Sequence, residues 1–248
     1  MSRWIIYFFY FLLSLDPGLL VYRQVHLTVK EIVRRNIQMT GDEPRLKHIE
    51  NYIFKTGLTT HYLSFLGEMK IVVRKEPSIT VGERKIAIGK EPIVADVILV
   101  NEKQVKRNSF NEITEISGLQ KSVYQCLASL RSGLFTLMKF ESLLEFQGVK
   151  EFGPEKFVIL TANCNDLKVD FYLDDENFKI KRVVFKGFDQ EKGKYEVSHD
   201  FGPFQSIEGF NIPSCWFSSE VGKRGNLYEI SDVKFNQSLP ENFFYNIY

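Results

Sequence analysis

The chain is poor in the residues that mark unfolded, fibrous or disulfide-built proteins. Proline occurs 8 times and glycine 16 times in 248 residues, which excludes a collagen-like or linker-dominated chain. Neither sign of charge prevails, since 32 Lys and Arg face 31 Asp and Glu for a net charge of +1, so the basic excess of a nucleic-acid binder is missing. The three cysteines, Cys126, Cys164 and Cys215, allow at most one internal disulfide, and their spacings match no zinc pattern. They read as small buried hydrophobes, with their disulfide state left open. No cysteine follows the first apolar run, so the acylated cysteine of a membrane-anchored lipoprotein has no candidate. Long apolar runs are absent too. The longest, residues 4 to 13, falls well short of the roughly 20 residues a membrane-spanning helix needs.

Catalytic signatures are equally scarce. His26, His48, His61 and His199 are scattered singly, with no metal-binding spacing among them. Ser198, His199 and Asp200 supply the residue types of a hydrolytic triad, but neighbours in a strand point to opposite faces and cannot form a relay. There is no nucleophile elbow or dinucleotide fingerprint, and residues 187 to 194 lack the spacing and the Ser/Thr of a phosphate-binding loop. The acidic group Asp170, Asp174, Asp175 and Glu176 lacks the glycine and closing glutamate of a calcium loop and reads as a solvated hairpin tip. Lys103, Lys106 and Arg107 are too few to track a phosphate backbone and read as an exposed face. No catalytic residue, metal site or cofactor is expected, and no enzymatic activity.

What the chain does have is aromatic surface. Its 22 Phe, 11 Tyr and 2 Trp make 14% of the sequence, favouring strands and large apolar faces. At the start, Arg3, the apolar run and the break at Asp16-Pro17-Gly18 follow the order of a secretory signal, so residues 1 to 24 are read as a signal peptide or N-terminal hydrophobic segment without a clear cleavage site. From Thr28 the pattern turns helical: Thr28 to Glu31 forms a capping box, Val29, Ile32, Val33 and Ile37 share one face, and Gly41 supplies the stop. A short turn over residues 44 to 49 follows. The period then becomes two, predicting strands over residues 52–60, 62–74, 84–88 and 93–100. A helical insertion over residues 116–140 carries Leu119, Val123, Cys126, Leu127 and Leu130 at threes and fours. Further strands are predicted over residues 157–162, 167–173, 178–185, 194–199, 209–217 and 227–235. One domain, residues 25–248, is the simplest division.

Two ends of the chain carry a resemblance. The run from Thr28 to Gly41, then Leu46-Lys47-His48-Ile49 and a strand carrying Gly57, is similar to the opening of the LolA/LolB-like outer-membrane lipoprotein-sorting family. Near the other end stand Phe171-Tyr172-Leu173-Asp174, Gly209 to Pro213, Ile230 to Phe235, Asn236, Leu239-Pro240 and Phe244, which resemble that family's closing strands and turns. Residues 76 to 155 are poorly matched. The resemblance implies an α+β fold, mainly antiparallel β, in which a curved incomplete barrel wraps lid helices and encloses an apolar cavity for acyl chains. It implies an exported, periplasmic, unlipidated and non-enzymatic protein that binds lipid or the acyl chains of lipoproteins, with a membrane-protein donor or acceptor. The alternative is an envelope sensor or scaffold on the same fold. By strand alternation Phe54, Phe65, Ile71, Val73, Val169, Phe171, Leu173, Phe185 and Trp216 are assigned to the inner, lipid-binding face, and Val33, Ile37, Leu127 and Leu130 to the lid. For any single one of these residues, ordinary core packing is the commoner reading.

Overall fold

The computed structural model describes residues 27–60, 66–75, 79–88, 91–190, 193–223, 225–240 and 243–244. Residues 1–24, read as an export signal, and the candidate Phe65 lie outside the described residues. Helix α1 (Val29–Thr40) starts where Thr28 accepts the Glu31 N–H at 3.2 Å. Only this half of the capping box forms, because the Glu31 carboxylate is held by Arg34 and Arg35 instead. Gly41 is needed for closeness rather than for a left-handed turn: a Cβ there would lie 2.7 Å from the Phe210 ring. Helix α2 (Glu43–Lys47) is capped by Asp42, whose carboxylate accepts the Arg45 N–H.

The chain then alternates. Strands β1 (Asn51–Thr60), β2 (Leu66–Arg74), β3 (Ile79–Ile88) and β4 (Glu91–Val100) follow the predicted run. The hairpin of β5 (Val105–Ser109) and β6 (Glu112–Ile116) had no counterpart in the sequence reading, its strands being short and polar. Helix α3 (Gly118–Ser132) takes most of the helical insertion, and a 3-10 segment, Met138–Leu143, follows it. The remaining strands are β7 (Leu144–Phe152), β8 (Glu155–Cys164), β9 (Leu167–Asp174), β10 (Ile180–Asp189), β11 (Gly193–Phe201), β12 (Phe204–Ile207), β13 (Phe210–Pro213), β14 (Cys215–Glu220) and β15 (Asn226–Phe235).

Thirteen strands form one antiparallel sheet in the order β6-β5-β4-β3-β2-β1-β15-β14-β11-β10-β9-β8-β7, and β12 and β13 form a separate hairpin. Among the described residues, the first and last strands pair in the middle of the sheet, from Tyr52 opposite Phe235 to Thr60 opposite Asn226. Each half then meanders outward to a free edge, β6 on one side and β7 on the other. The sheet is therefore curved but open, the mainly antiparallel half-barrel expected from the resemblance.

Residues two apart share a face, and adjacent residues divide between the two. On one face Tyr52, Phe54, Ile71, Val73, Val169, Phe171, Leu173 and Phe185 join α1, α3 and the 3-10 segment in a single large core. On the other, Val72, Ile79, Val81 and Leu99 are covered by Phe244, with Leu239 and Phe243 at the margin. The Phe244 ring is 4% exposed and lies under the Arg74 guanidinium at 4.8 Å. Phe244→Leu keeps apolar cover but loses the ring and its cation contact, so the urea midpoint is expected to fall by the equivalent of ~1 kcal/mol. An unchanged midpoint would mean that the closing segment does not protect this face.

Candidate functional site

The helix-bearing side of the sheet has two parts of different character. The first is solid. Phe54, Ile71, Val73, Val169, Phe171, Leu173, Phe185 and Trp216 all turn to the helices and share one core with Val33, Leu127 and Leu130, while Ile37 packs at its margin. The register brings them into line: Phe54 lies opposite Ile71 across β1 and β2, and Phe171 opposite Val183 across β9 and β10. Rings fill the remaining space, with Phe140 on Phe171 at 5.0 Å, Phe135 on Phe54 at 5.7 Å and Phe135 on Phe201 at 5.6 Å.

Asn36 fastens this part. It is fully buried, its amide N–H donates to the Phe178 carbonyl at 2.8 Å, and its carbonyl oxygen accepts the Leu137 N–H at 2.8 Å. One side chain thus joins α1 to the β9–β10 turn and to the segment leading out of α3. That segment reverses direction through Leu134 and Phe135, both buried and both at positive φ. The Phe135 N–H to Leu130 carbonyl bond, at 2.9 Å, holds the reversal.

The second part lies under α3 and is looser. Concave-facing positions there are only half-buried: Met69 on β2, Ile98 on β4, Tyr195 on β11, Ser218 on β14 and Tyr228 on β15, with Tyr124 and Arg131 on α3 above them. Trp216 forms the floor, stacked on Tyr228 at 4.8 Å and 12°. Arg131 stands over the indole at 5.6 Å. At one side Asp96, 3% exposed, pairs with Arg84 and with Arg107, whose Nε is 2.7 Å away. Burial opposes the Asp96 charge, but hydrogen bonds from Arg107 and Ser109 and the two guanidiniums outweigh it and hold the carboxyl below its usual range. Arg107, read from sequence as part of an exposed basic face, is therefore the partner of a buried acid. Burial raises the pKa of Tyr124 and Tyr228 and pushes Tyr195 up to about 12, so all three rings are neutral phenols.

Helix α3 approaches the sheet closely at its start. A Cβ on Gly187 would meet the Leu119 side chain at 2.9 Å, so this glycine in β10 lets α3 lie down. Further along, the buried Cys126 thiol on α3 and the buried Cys164 thiol at the end of β8 lie against each other. The contact lowers the pKa of Cys164 and, together with burial, raises that of Cys126. Oxidised glutathione is expected to take two hydrogens from this pair and leave as two reduced thiols, joining α3 to β8. Titratable thiols in denaturant would fall from three to one, and the melting temperature would rise by several degrees. Retention of all three thiols would refute the facing geometry.

Other residues singled out in the sequence lie elsewhere. His199 faces the core, with its ring 5.9 Å from Phe185, whereas Asp200 points away and pairs with Arg182, so the triad residue types are separated as expected for a strand. Asp170 is no part of a solvated tip: it is 7% exposed, accepts from Thr161 at 2.7 Å and pairs with Lys186 at 2.6 Å. The tip itself is an Asp174 turn, whose carboxylate accepts the Glu176 and Asn177 N–H groups. On the face away from the helices, a cleft of about 530 Å³ is lined by Phe152, Phe157, Tyr172 and the Arg182–Asp200 pair. Among the described residues no three His, Cys, Asp or Glu side chains gather to hold a metal ion, and no helix is long and apolar enough to cross a membrane.

Sequence reasoning missed Arg131, Tyr124, Tyr195 and Tyr228. Tyr124 and Arg131 are seven apart, two turns along α3 and beside its apolar stripe, which is the one signal that placed them together. Nothing in the sequence marked the tyrosines of β11 and β15 as partners of that helix.

An open, curved antiparallel sheet with helices laid across its concave face defines a half-barrel with lid helices. This is the LolA-like fold. A LolA superfamily protein from Nitrosomonas europaea superposes with a TM-score of 0.57 at 13% identity, covering 89% of this chain and 98% of that one. A DUF1329 family protein from Desulfovibrio piger superposes with a TM-score of 0.58 at 11% identity, covering 87% and 96%. No protein-family model and no curated protein sequence matches the chain.

Proposed function

We propose that residues 25–248 form one exported, periplasmic, non-enzymatic half-barrel domain that binds lipid or the acyl chains of a lipoprotein on its concave face and carries them between membranes, with residues 1–24 as the export signal. The observation that supports this reading most directly is the patch of half-buried side chains under α3, where Trp216 and Tyr228 stack and adjoin the apolar core at Phe54, Ile71 and Phe185. Each methylene removed from water there contributes about 0.8 kcal/mol, so a long chain binds without any catalytic group. The packed half has no space for a chain as it stands, so Phe171, Leu173, Val169 and Val73 become ligand-lining only if α1 and the 3-10 segment lift. Val33, Ile37, Leu127 and Leu130 would then act as the lid.

The test is native mass spectrometry of the protein isolated from its own cell envelope without detergent, with displacement of a fluorescent acyl-chain probe as the second readout. A discrete adduct of lipid or acylated-peptide mass is expected. A folded protein of bare mass that leaves the probe untouched would overturn the reading. The sensor or scaffold alternative draws on a different feature, the unpaired edge of β7, where Phe146, Val149 and Phe152 are 40–51% exposed. It predicts a stable protein partner whose binding is lost on Phe146→Lys, with probe binding unchanged.

A further inference from the structure

Among the described residues, Arg131 carries a charge on the concave side that no carboxylate answers. The neighbouring acids are committed elsewhere: Asp96 to Arg84 and Arg107, and Glu220 to Lys223 at 2.7 Å. No described carboxylate pairs with Arg131. The end of α3 offers no substitute, because its last carbonyls are taken by other donors. Ser129 is bonded by the Gly133 N–H, Leu130 by the Phe135 N–H, and Arg131 itself by the Leu134 N–H and the Tyr52 hydroxyl. What surrounds the guanidinium is aromatic: Trp216 beneath it at 5.6 Å, with Tyr52, Tyr124 and Tyr228 near enough to act on its charge.

A guanidinium does not shed its proton in a protein, so even partial burial without a counter-charge has a cost. A π-face offsets only part of that cost. His199, 6% exposed with its Nδ1 unpartnered, faces the same side and is held neutral by burial and by Arg131, so it adds a polar atom without a negative charge. The missing component is an anion, delivered to a site whose walls are otherwise apolar or phenolic.

We propose that Arg131 is the headgroup anchor of the concave-face site and that the ligand is an anionic amphiphile, whose carboxylate or phosphate is bound by the guanidinium while its chain lies between α3 and the floor at Trp216, Tyr228 and Met69. The inference rests on the acyl-binding reading and narrows it from any acyl chain to one that carries an acidic head. Two parallel N–H donors of one arginine match either oxyanion, and such charge-assisted bonds are about twice as strong as neutral ones.

The experiment compares three single-chain probes of equal length: palmitic acid, palmitoyl lysophosphatidic acid and monopalmitoylglycerol, titrated against the delipidated full chain. Either or both acids are expected to bind at least about tenfold more tightly than the neutral ester, consistent with one charge-assisted contact. Arg131→Gln is expected to reduce that preference to about threefold or less, the acids losing more affinity than the ester, and Arg131→Lys to restore part of it. Which acid binds distinguishes a carboxylate from a phosphate head. Equal binding of acid and ester by the wild-type protein, or an undiminished preference in a folded Arg131→Gln variant, overturns the proposal and leaves acyl binding intact. Displacement by inorganic phosphate or acetate as effective as by the lipids would show a plain anion site and also overturns it. Failure of all three lipids to bind overturns the acyl-binding reading itself. If Arg131→Gln does not fold by circular dichroism, the wild-type preference and the Arg131→Lys response decide.

Discussion

Asn36→Ala is expected to lower the free energy of unfolding by ~3–5 kcal/mol, because two buried backbone groups each lose their partner at a cost of about 1–3 kcal/mol and the truncated side chain adds a void. The groups are the Phe178 carbonyl and the Leu137 N–H, both 2.8 Å from the Asn36 amide. Neither has water at hand to replace the lost bond, since Phe178 is 5% exposed and Leu137 is fully buried. Urea unfolding gives the loss directly. Hydrogen exchange of α1 should quicken beyond that of β9 and β10, because Asn36 ties α1 to the turn between them and to the segment after α3. A loss under about 1 kcal/mol would show that the packing around α1, and not this amide, holds the lid on the sheet. The result bears on function as well, since a lid held by one two-handed side chain is a lid with a definable closed state.

The second large effect is on acid stability. His199 is buried, faces Phe185 and Phe201, and is subject to the positive field of Arg131. Burial first and Arg131 second push its pKa from 6.5 down to about 3. The folded protein therefore holds a neutral imidazole where the unfolded chain binds a proton. The stability this contributes is fully present above pH 6.5 and is lost as pH falls towards about 3. By linkage the loss between pH 7 and pH 5 is ~2 kcal/mol, growing to ~3 kcal/mol by pH 4. Asp96 and Asp170, whose carboxyls are held below their usual range, add their own losses only below about pH 4. The interval from pH 7 to pH 5 thus isolates the histidine. His199→Leu should flatten the curve of unfolding free energy across that interval. A variant as acid-sensitive as the wild type would mean that His199 is protonated in the fold.

The strand framework was legible because its signal is local. In β9, Val169, Phe171 and Leu173 alternate with Asp170 and Tyr172, and that period of two alone assigned the first three to the helix side. The same arithmetic placed Phe54, Ile71, Val73, Phe185 and Trp216 there, and Thr28 announced the start of α1 by its own side chain. The β5–β6 hairpin was not legible. Its residues are mostly polar, because β6 is an edge strand and Arg107 turns inward only to meet Asp96 from β4. Asp170 misled for the same reason: an acid in a strand reads as solvent-facing until Lys186 and Thr161 on the flanking strands are known to reach it.

By itself, then, the sequence determined the alternation of strands, the two faces of most of them, the extent of α1 and the absence of recognisable catalytic motifs. Each follows from side-chain chemistry repeated over a few neighbouring residues. Tertiary structure alone decided which strands pair, so that β1 meets β15 in the middle of the sheet. It alone decided that Asn36 is satisfied by two backbone groups far away in sequence, that Cys126 faces Cys164, and that Arg131 lies over Trp216 without an acid. Periodicity tells a side chain which face to take, but only the packed neighbours on that face settle whether its charge and hydrogen bonds are answered.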